Sequence, residues 1–238
     1  MLNFKQNIFS LSKNLWDFIL PQCCVLCGAK ATNKICETCI ATLPRIQEHC
    51  ACCGTALEYF AHQCGECLKN PPPFTRTIAA FHYTHPVSDL IIALKFCERL
   101  LYAELCGQLL AQQLLVHYQG KNKPSLIFPV PLHKKRLCER GYNQALEIAR
   151  PIAQELKLPL AKYHTHRIKN TMAQTTLNAI ERHKNVKHAF VITEKVPMHV
   201  AVIDDVITTG STVREFCRVL KQAGAKEIDV WCVARASK

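Results

Sequence analysis

Four Cys-x-x-Cys pairs crowd the first third of the chain, at Cys24/Cys27, Cys36/Cys39, Cys50/Cys53 and Cys64/Cys67. Eight residues separate the first two pairs and ten the last two. A stretch this short and this poor in apolar residues cannot fold around a core of its own, so something must tie the sulfurs together. Of fifteen cysteines, ten lie between Cys23 and Cys67 and the others are scattered from Cys97 to Cys232. A disulfide framework would require export. The N-terminal run MLNFKQNIFSLSKNLWDFILPQCC lacks the unbroken apolar core and small-residue cleavage site of a signal peptide. Asn7, Ser10, Ser12, Lys13, Asn14 and Asp17 interrupt every apolar run there, which also argues against a transmembrane helix. The expectation is a cytoplasmic protein whose thiols stay reduced, and clustered reduced cysteines bind metal more often than they do anything else.

Two pairs supply four thiolates, the soft tetrahedral set that zinc takes at about 2.3 Å. The two-residue spacing lets a tight turn aim both sulfurs at one ion, and Gly28 and Gly54 stand where the backbone must turn toward the thiolates. Residues 24–39 and 50–67 thus read as one module repeated, a double zinc ribbon, with Cys24, Cys27, Cys36, Cys39, Cys50, Cys53, Cys64 and Cys67 as ligands. A redox role is the competing reading, but a thioredoxin-type pair stands beside a βαβ pattern and is not repeated four times in a row. Four thiolates leave zinc no open position, so the metal is structural. The spacing admits one ion or two, and leaves Cys23 and Cys52 without an assigned part. Ahead of the ribbons, Leu11, Leu15, Phe18 and Ile19 recur at helical spacing, as in a helix packed on its own protein.

Pro71-Pro72-Pro73 marks a boundary, because consecutive prolines sustain neither a helix nor a central strand. It divides an N-terminal helix-plus-ribbon region, residues 1–70, from a larger domain, residues 71–238. The larger part alternates. Strands are expected at Thr77–Tyr83, Leu126–Val130, His199–Ile203 and Ile228–Ala234. Helices are expected at Val87–Phe96, Leu101–His117, Asn143–Leu156 and Thr212–Ala223. This is the pattern of an α/β domain with a mainly parallel sheet flanked by helices, whose ligands bind beyond the carboxyl ends of the strands.

The segment Val200 to Thr212, VAVIDDVITTGST, holds such an end. An apolar strand ends in Asp204 and Asp205; a short loop rich in hydroxyls and containing Gly210 then opens a helix. Helix N-termini present unpaired N–H groups and suit a phosphate. Gly210 allows close backbone approach, and Thr208, Thr209, Ser211 and Thr212 offer hydroxyl donors. The two carboxylates would repel that phosphate, but they suit sugar hydroxyls one ring away. A Walker A loop is excluded because no lysine lies between Asp204 and Arg214, and a dinucleotide fingerprint is excluded because only one glycine is present. A plain capped strand-to-helix turn would not need the diacid.

This segment resembles the phosphoribosyl pyrophosphate-binding motif of type I phosphoribosyltransferases. The resemblance implies that Asp204 and Asp205 hold the ribose hydroxyls, that Thr208 to Thr212 cradle the 5-phosphate, and that magnesium bridges ribose and pyrophosphate. Nearly the whole chain is similar to the ComF family of competence proteins, also called ComFC, which joins a cysteine-rich N-terminus to such a domain. The likeness runs through Ala93-Leu94-Lys95-Phe96, through PVPLHKKRLCERGYNQALEIA from Pro129, and through HRIKNTMAQTTLNAIERHKNVKHAF from His166. The second stretch offers Lys134, Lys135, Arg136 and Arg140 after a short strand, as a pyrophosphate loop should. The third carries Arg167, Thr171, Gln174, Arg182 and Asn185 in the family's order. Ser211 stands where many relatives have alanine.

Lysine and arginine outnumber aspartate and glutamate by 30 to 18, a formal charge of +12 that favours polyanionic partners. Two functional classes follow. The family resemblance implies a factor that handles incoming single-stranded DNA during natural transformation, alongside DNA-uptake proteins, in the cytoplasm or peripherally at the inner face of the membrane. Basic side chains would follow the phosphates, and Tyr59, Phe60, Phe74 and Tyr142 would stack on bases. The alternative is an active phosphoribosyltransferase acting on a nucleobase or another acceptor. No catalytic base stands out, with His82, His85 and His133 as weak candidates.

Overall fold

The computed structural model describes residues 22–57, 61–97, 99–162, 164–169 and 188–236. The helix expected around Leu11 to Ile19, the aromatics Tyr59 and Phe60, and Thr171, Gln174, Arg182 and Asn185 lie outside the described residues. The chain divides after Leu43 into two compact units.

In the first unit the chain folds back at Cys24–Gly28, where the Gly28 amide donates to the Cys24 carbonyl at 2.9 Å. Gly28 takes φ 74°, which a residue with a Cβ adopts only under strain. The short helix α1 (Glu37–Ala41) starts directly after Cys36. Between residues 22 and 43 only Cys24, Ile35 and Leu43 are buried. Apolar burial on that scale cannot offset the entropy of ordering some twenty residues, at roughly 1–2 kcal/mol each.

The second unit opens with the second ribbon. Gly54 repeats the turn, with its amide on the Cys50 carbonyl at 2.9 Å and φ 66°, and α2 (Gly65–Lys69) starts after Cys64. Then come β1 (Arg76–His82), α3 (Val87–Phe96), α4 (Leu100–His117), β2 (Ile127–Pro129), α5 (Lys134–Arg140) and α6 (Gln144–Leu156). They are followed by β3 (Thr165–Arg167), β4 (Phe190–Ile192), β5 (His199–Ile207), α7 (Ser211–Gln222) and β6 (Glu227–Arg235). Among the described residues the main sheet has four strands in the order β1-β6-β5-β2, every neighbouring pair parallel. The strands β3 and β4 form a separate antiparallel pair.

Period-two alternation along β5 sends successive side chains to opposite faces. Val200 and Val202 join Phe128, Val230, Phe216 and Leu220 in one apolar cluster under α7. The other face is covered by α4 and α6, which cross at Gly107. A Cβ there would stand 2.4 Å from Pro151 Cγ and 2.5 Å from the Ile148 carbonyl oxygen, so the absence of a side chain sets the helix spacing. At the amino ends of the strands His199, Glu227 and Asp229 converge. Asp229 is already met there by Arg76 Nε at 3.2 Å and the Tyr118 hydroxyl at 2.6 Å, a buried ion-pair network.

The α/β pattern with its parallel sheet holds, and helix Val87–Phe96 runs between the expected residues. Two details differ. The strand expected to stop at Ile203 continues to Ile207, because Asp204 and Val206 pair with β6 as readily as the apolar residues before them. The basic stretch read as a loop is a helix, α5: the His133 ring accepts from the Lys135 amide at 3.2 Å as its cap, and Gly141 at φ 75° closes it.

Candidate functional site

The site is assembled at the carboxyl end of the sheet. There β5 passes into the loop 208–210, and Gly210, at φ 77°, caps α7. The loop residues Thr208 to Thr212 are half-buried, open enough to admit a ligand. Thr209 Oγ1 lies 3.0 Å from Ser211 Oγ and accepts weakly from the Ser211 amide, so the two hydroxyls are held side by side at the helix N-terminus. The helix has twelve residues, so its macrodipole adds positive potential at this N-terminal end.

Alternation decides how the two carboxylates are served. Asp205 points toward α3, where Lys95 Nζ lies 2.7 Å from its Oδ2. Burial disfavours the Lys95 ammonium, yet the Asp205 carboxylate outweighs it and holds the Lys95 pKa above the usual lysine range. Asp204 falls on the opposite side. Burial first, and the Asp205 charge second, push the Asp204 carboxyl up to about 7, while Lys95 and Arg167 pull the other way less strongly. Arg167, on β3, is buried beside the same group. Burial and then the charge of Arg136 bring the Arg167 pKa down to about 10, so it keeps its proton at neutral pH. Burial and the neighbouring Arg140 lower Arg136 in turn. A backbone bridge between His133 and Arg167 brings the start of α5 to β3.

Of the four basic residues expected to face pyrophosphate, Arg136 joins this cluster. Arg140 lies with its guanidinium 5.6 Å from the Phe96 ring centroid, and Lys134 and Lys135 are exposed on α5. Tyr142 donates its hydroxyl to the Leu94 carbonyl, and Phe74 is buried in the core, so both act in packing here. His85 pairs with Asp89 at 2.8 Å on the surface, and His133 caps α5. Lys95 and Arg167 were visible in the sequence only as members of longer motifs. Arg235 was not singled out at all, although a charge closing the apolar run Val230–Ala234 is a signal that something must receive it.

The ribbons present two separate four-cysteine clusters, Cys24/Cys27/Cys36/Cys39 and Cys50/Cys53/Cys64/Cys67, each with all sulfurs within 4.8 Å of one another. Cys27 and Cys36 Sγ are 3.8 Å apart, and Cys53 and Cys64 Sγ 3.7 Å. A tetrahedron with zinc–sulfur bonds of about 2.3 Å has sulfur–sulfur edges of about 3.8 Å, so the donors fit zinc. The Cys64 amide also donates to Cys50 Sγ at 3.2 Å, as a thiolate requires. Without a cation such a group cannot ionise fully: hydrogen bonding among the thiols, led by Cys36, pushes Cys39 up to about 12. Two structural zinc sites follow, with Cys23 and Cys52 outside both.

A parallel sheet with flanking helices, a hydroxyl-rich loop after two strand-end carboxylates, and a pair of four-cysteine ribbons define a phosphoribosyltransferase-type domain joined to a double zinc ribbon. The family model of the phosphoribosyl transferase domain matches residues 143–238, and that of the double zinc ribbon domain matches residues 15–68. Competence protein F of Haemophilus influenzae is 35% identical over 90% of this chain and 96% of its own length. DNA utilization protein YhgH of Salmonella typhimurium is 34% identical over 91% of this chain and 98% of its own. A hypoxanthine phosphoribosyltransferase from Staphylococcus aureus superposes loosely, with a TM-score of 0.35 and 13% identity over 55% of this chain and 61% of that one. The chain belongs to the family of competence protein F and the DNA utilization proteins. Among the described residues no helix is long and apolar enough to cross a membrane.

Proposed function

We propose that this protein binds phosphoribosyl pyrophosphate, or a closely related phosphoribosyl ligand, at the carboxyl end of its sheet and serves the handling of incoming single-stranded DNA. One observation carries the ligand: a helix-capping hydroxyl loop, two strand-end carboxylates and the cations Lys95, Arg136 and Arg167 converge at one place. Thr208 to Thr212 take the 5-phosphate through amides and hydroxyls, and Asp204 and Asp205 accept from the ribose hydroxyls. Arg136 and Arg167 face the pyrophosphate side, and Lys134, Lys135 and Arg140 extend that positive surface. For a sugar hydroxyl to reach Asp205, Lys95 must loosen from it. The ammonium is then free to meet the ligand's negative charge.

Magnesium fits as a companion of the ligand. Two carboxylates do not make a cage, so a hard cation here would take most of its oxygens from pyrophosphate and water, with Asp204 and Asp205 at its edge. When bound it would neutralise charge on the pyrophosphate. The protein's own part is to hold the sugar by its hydroxyls and to oppose the pyrophosphate with fixed cations in a site that is partly desolvated.

The DNA role rests on family membership and on the formal charge of +12, which suits a phosphate backbone in a cytoplasmic protein. A second reading is phosphoribosyl transfer to an acceptor. The intact carboxylate pair favours it, because a mere phosphate sensor has no need of sugar-binding groups.

Calorimetric titration with phosphoribosyl pyrophosphate and magnesium tests the site. The double variant Asp204→Ala/Asp205→Ala is expected to lose binding by at least about a hundredfold while keeping its zinc content. Retained affinity overturns the assignment. Pyrophosphate release that depends on an added base would establish transfer; salt-sensitive single-strand binding without release would establish the DNA factor alone.

A further inference from the structure

Arg235 closes β6 in register with Ile207 of β5, and the residue is 3% exposed. The guanidinium bonds to two regions far apart in sequence. On one side Nε donates to the Cys53 carbonyl at 3.0 Å and Nη2 to the Thr55 hydroxyl at 2.8 Å. Thr55 Oγ1 lies in turn 3.2 Å from Cys53 Sγ, a sulfur of the second cluster. On the other side Nη1 faces the carbonyls of Ile207 at 2.8 Å and Ala236 at 3.0 Å, and that of Thr208. A second tie runs nearby: Arg214, in the first turn of α7, donates to the Asn70 carbonyl just beyond α2 at 3.3 Å.

The consequence comes from peptide geometry. In a trans peptide the N–H points opposite to the C=O of the same planar unit. Fixing the Ile207 and Thr208 carbonyls on Arg235 therefore turns the amides of Thr208 and Thr209 away from the ribbon, toward the side where the phosphate is expected. The guanidinium is a rigid planar fork, so its two sets of acceptors are held in one frame. A lysine would supply the charge without the frame.

We propose that Arg235 is a positioning residue through which the second zinc knuckle orders the phosphate loop, so that zinc at Cys50/Cys53/Cys64/Cys67 and a phosphoribosyl ligand at Thr208–Thr212 bind with mutual reinforcement. The ligand half of this rests on the phosphoribosyl reading above; the ordering of the loop by Arg235 does not. Coupling between sites is reciprocal, so a ligand that profits from the ordered loop must retain zinc by the same factor.

Two measurements on the full chain separate these parts. The first is amide hydrogen exchange of zinc-loaded protein without ligand, comparing the native protein with Arg235→Lys. Exchange across 208–212 is expected to quicken about tenfold in the variant, with the protection of Val200–Ile203 unchanged. Equal loop exchange overturns the proposal. Should Arg235→Lys lose protection throughout, Thr55→Val replaces it. That change removes one acceptor and keeps the shape, with an expected quickening of about threefold over the same amides, and unchanged exchange again counts against the idea.

The second measurement is zinc release to a zinc-selective chromophoric chelator, in a Cys27→Ser background so that the second site is followed. Phosphoribosyl pyrophosphate with magnesium is expected to slow release about fivefold or more, and Arg235→Lys to abolish the slowing. A purely structural arginine would change the melting temperature without making zinc release depend on the ligand. If the native protein gives calorimetric binding but ligand-independent zinc release, the coupling is wrong. If it gives no binding, the phosphoribosyl reading fails, and loop exchange alone decides the role of Arg235.

Discussion

The two ribbons carry the same four-cysteine pattern and the same glycine turn, yet they are supported differently. The first, residues 22–43, has three buried side chains, its sulfur cluster and short-range backbone bonds such as that from the Val25 amide to the Lys34 carbonyl at 2.9 Å. The second is built into the sheet unit: Arg45 pairs with Phe81 of β1, the Thr77 amide bonds the Ala51 carbonyl at 3.4 Å, and Arg235 grips the Cys53–Thr55 turn. One module is held by its metal. The other shares its backbone hydrogen bonds with the edge of a sheet and with the loop beyond it. A repeated motif thus need not mean a repeated role.

The largest effect expected is on the zinc ligands. Structural zinc supplies about 10–16 kcal/mol in isolated ribbons, far more than the first ribbon's burial can replace. Cys27→Ser should therefore halve the zinc content and expose every amide from 24 to 39 to exchange. Cys53→Ser should halve the zinc content too, but its damage should spread to β1 and to 208–212 and lower the main melting transition. Equal and local effects from both changes would erase the distinction between the ribbons.

Acidity offers a second comparison. Protonation of thiolates threatens either ribbon as pH falls. In the sheet unit Asp204 acts in the opposite sense. Its folded pKa of about 7 stands above the ordinary aspartate value of 3.8, so the folded state holds the extra proton between those values. Its contribution to stability is greatest below pH 4 and is lost as pH rises through 7. Asp204→Asn should remove that slope and stabilise the protein at pH 8 by on the order of 2 kcal/mol, discounted for partial exposure. Melting curves of the zinc-loaded protein across that range check the sign. Ligand hydroxyls that need the ionised Asp204 should release a proton on binding below pH 7, which calorimetry in two buffers of different ionisation heat would read.

The smallest test uses the paired glycines. Both Gly28 and Gly54 hold positive φ, so alanine costs each about 1 kcal/mol. At Gly28 a Cβ meets nothing within 4 Å, whereas at Gly54 it would stand 3.0 Å from Thr77 Cγ2. Gly54→Ala is expected to cost about 1 kcal/mol more than Gly28→Ala, read from chelator competition for zinc. Equal losses would mean that β1 yields and that the second ribbon is less firmly seated than its bonds indicate.

Where the sequence was legible, the signal was local. Helix α3 could be bounded from its apolar spacing, and the diacid before Thr-Thr-Gly-Ser-Thr marked the edge of the sheet where the candidate site stands, three residues short of the strand's end at Ile207. The misreadings have equally specific causes. Lys134–Arg140 carries five charges in seven residues and reads as a pyrophosphate loop until His133 and Gly141 are recognised as the caps of a helix. The strands β3 and β4 have three residues each, too few for alternation to register.

The sequence by itself determined which cysteines are the candidate ligands, that residues along β5 alternate between its faces, and where a hydroxyl-rich loop would open a helix. All of these follow from the fixed geometry of a few consecutive residues. Only the tertiary structure decided that Lys95 meets Asp205, that Arg167 stands by Asp204 with Arg136 beside it, and that Arg235 reaches Cys53 across 182 residues of chain. Contacts of that kind have no period or spacing to read. They exist because parallel strands bring their carboxyl ends to one edge, where a buried charge must find partners among whatever the fold has placed beside it.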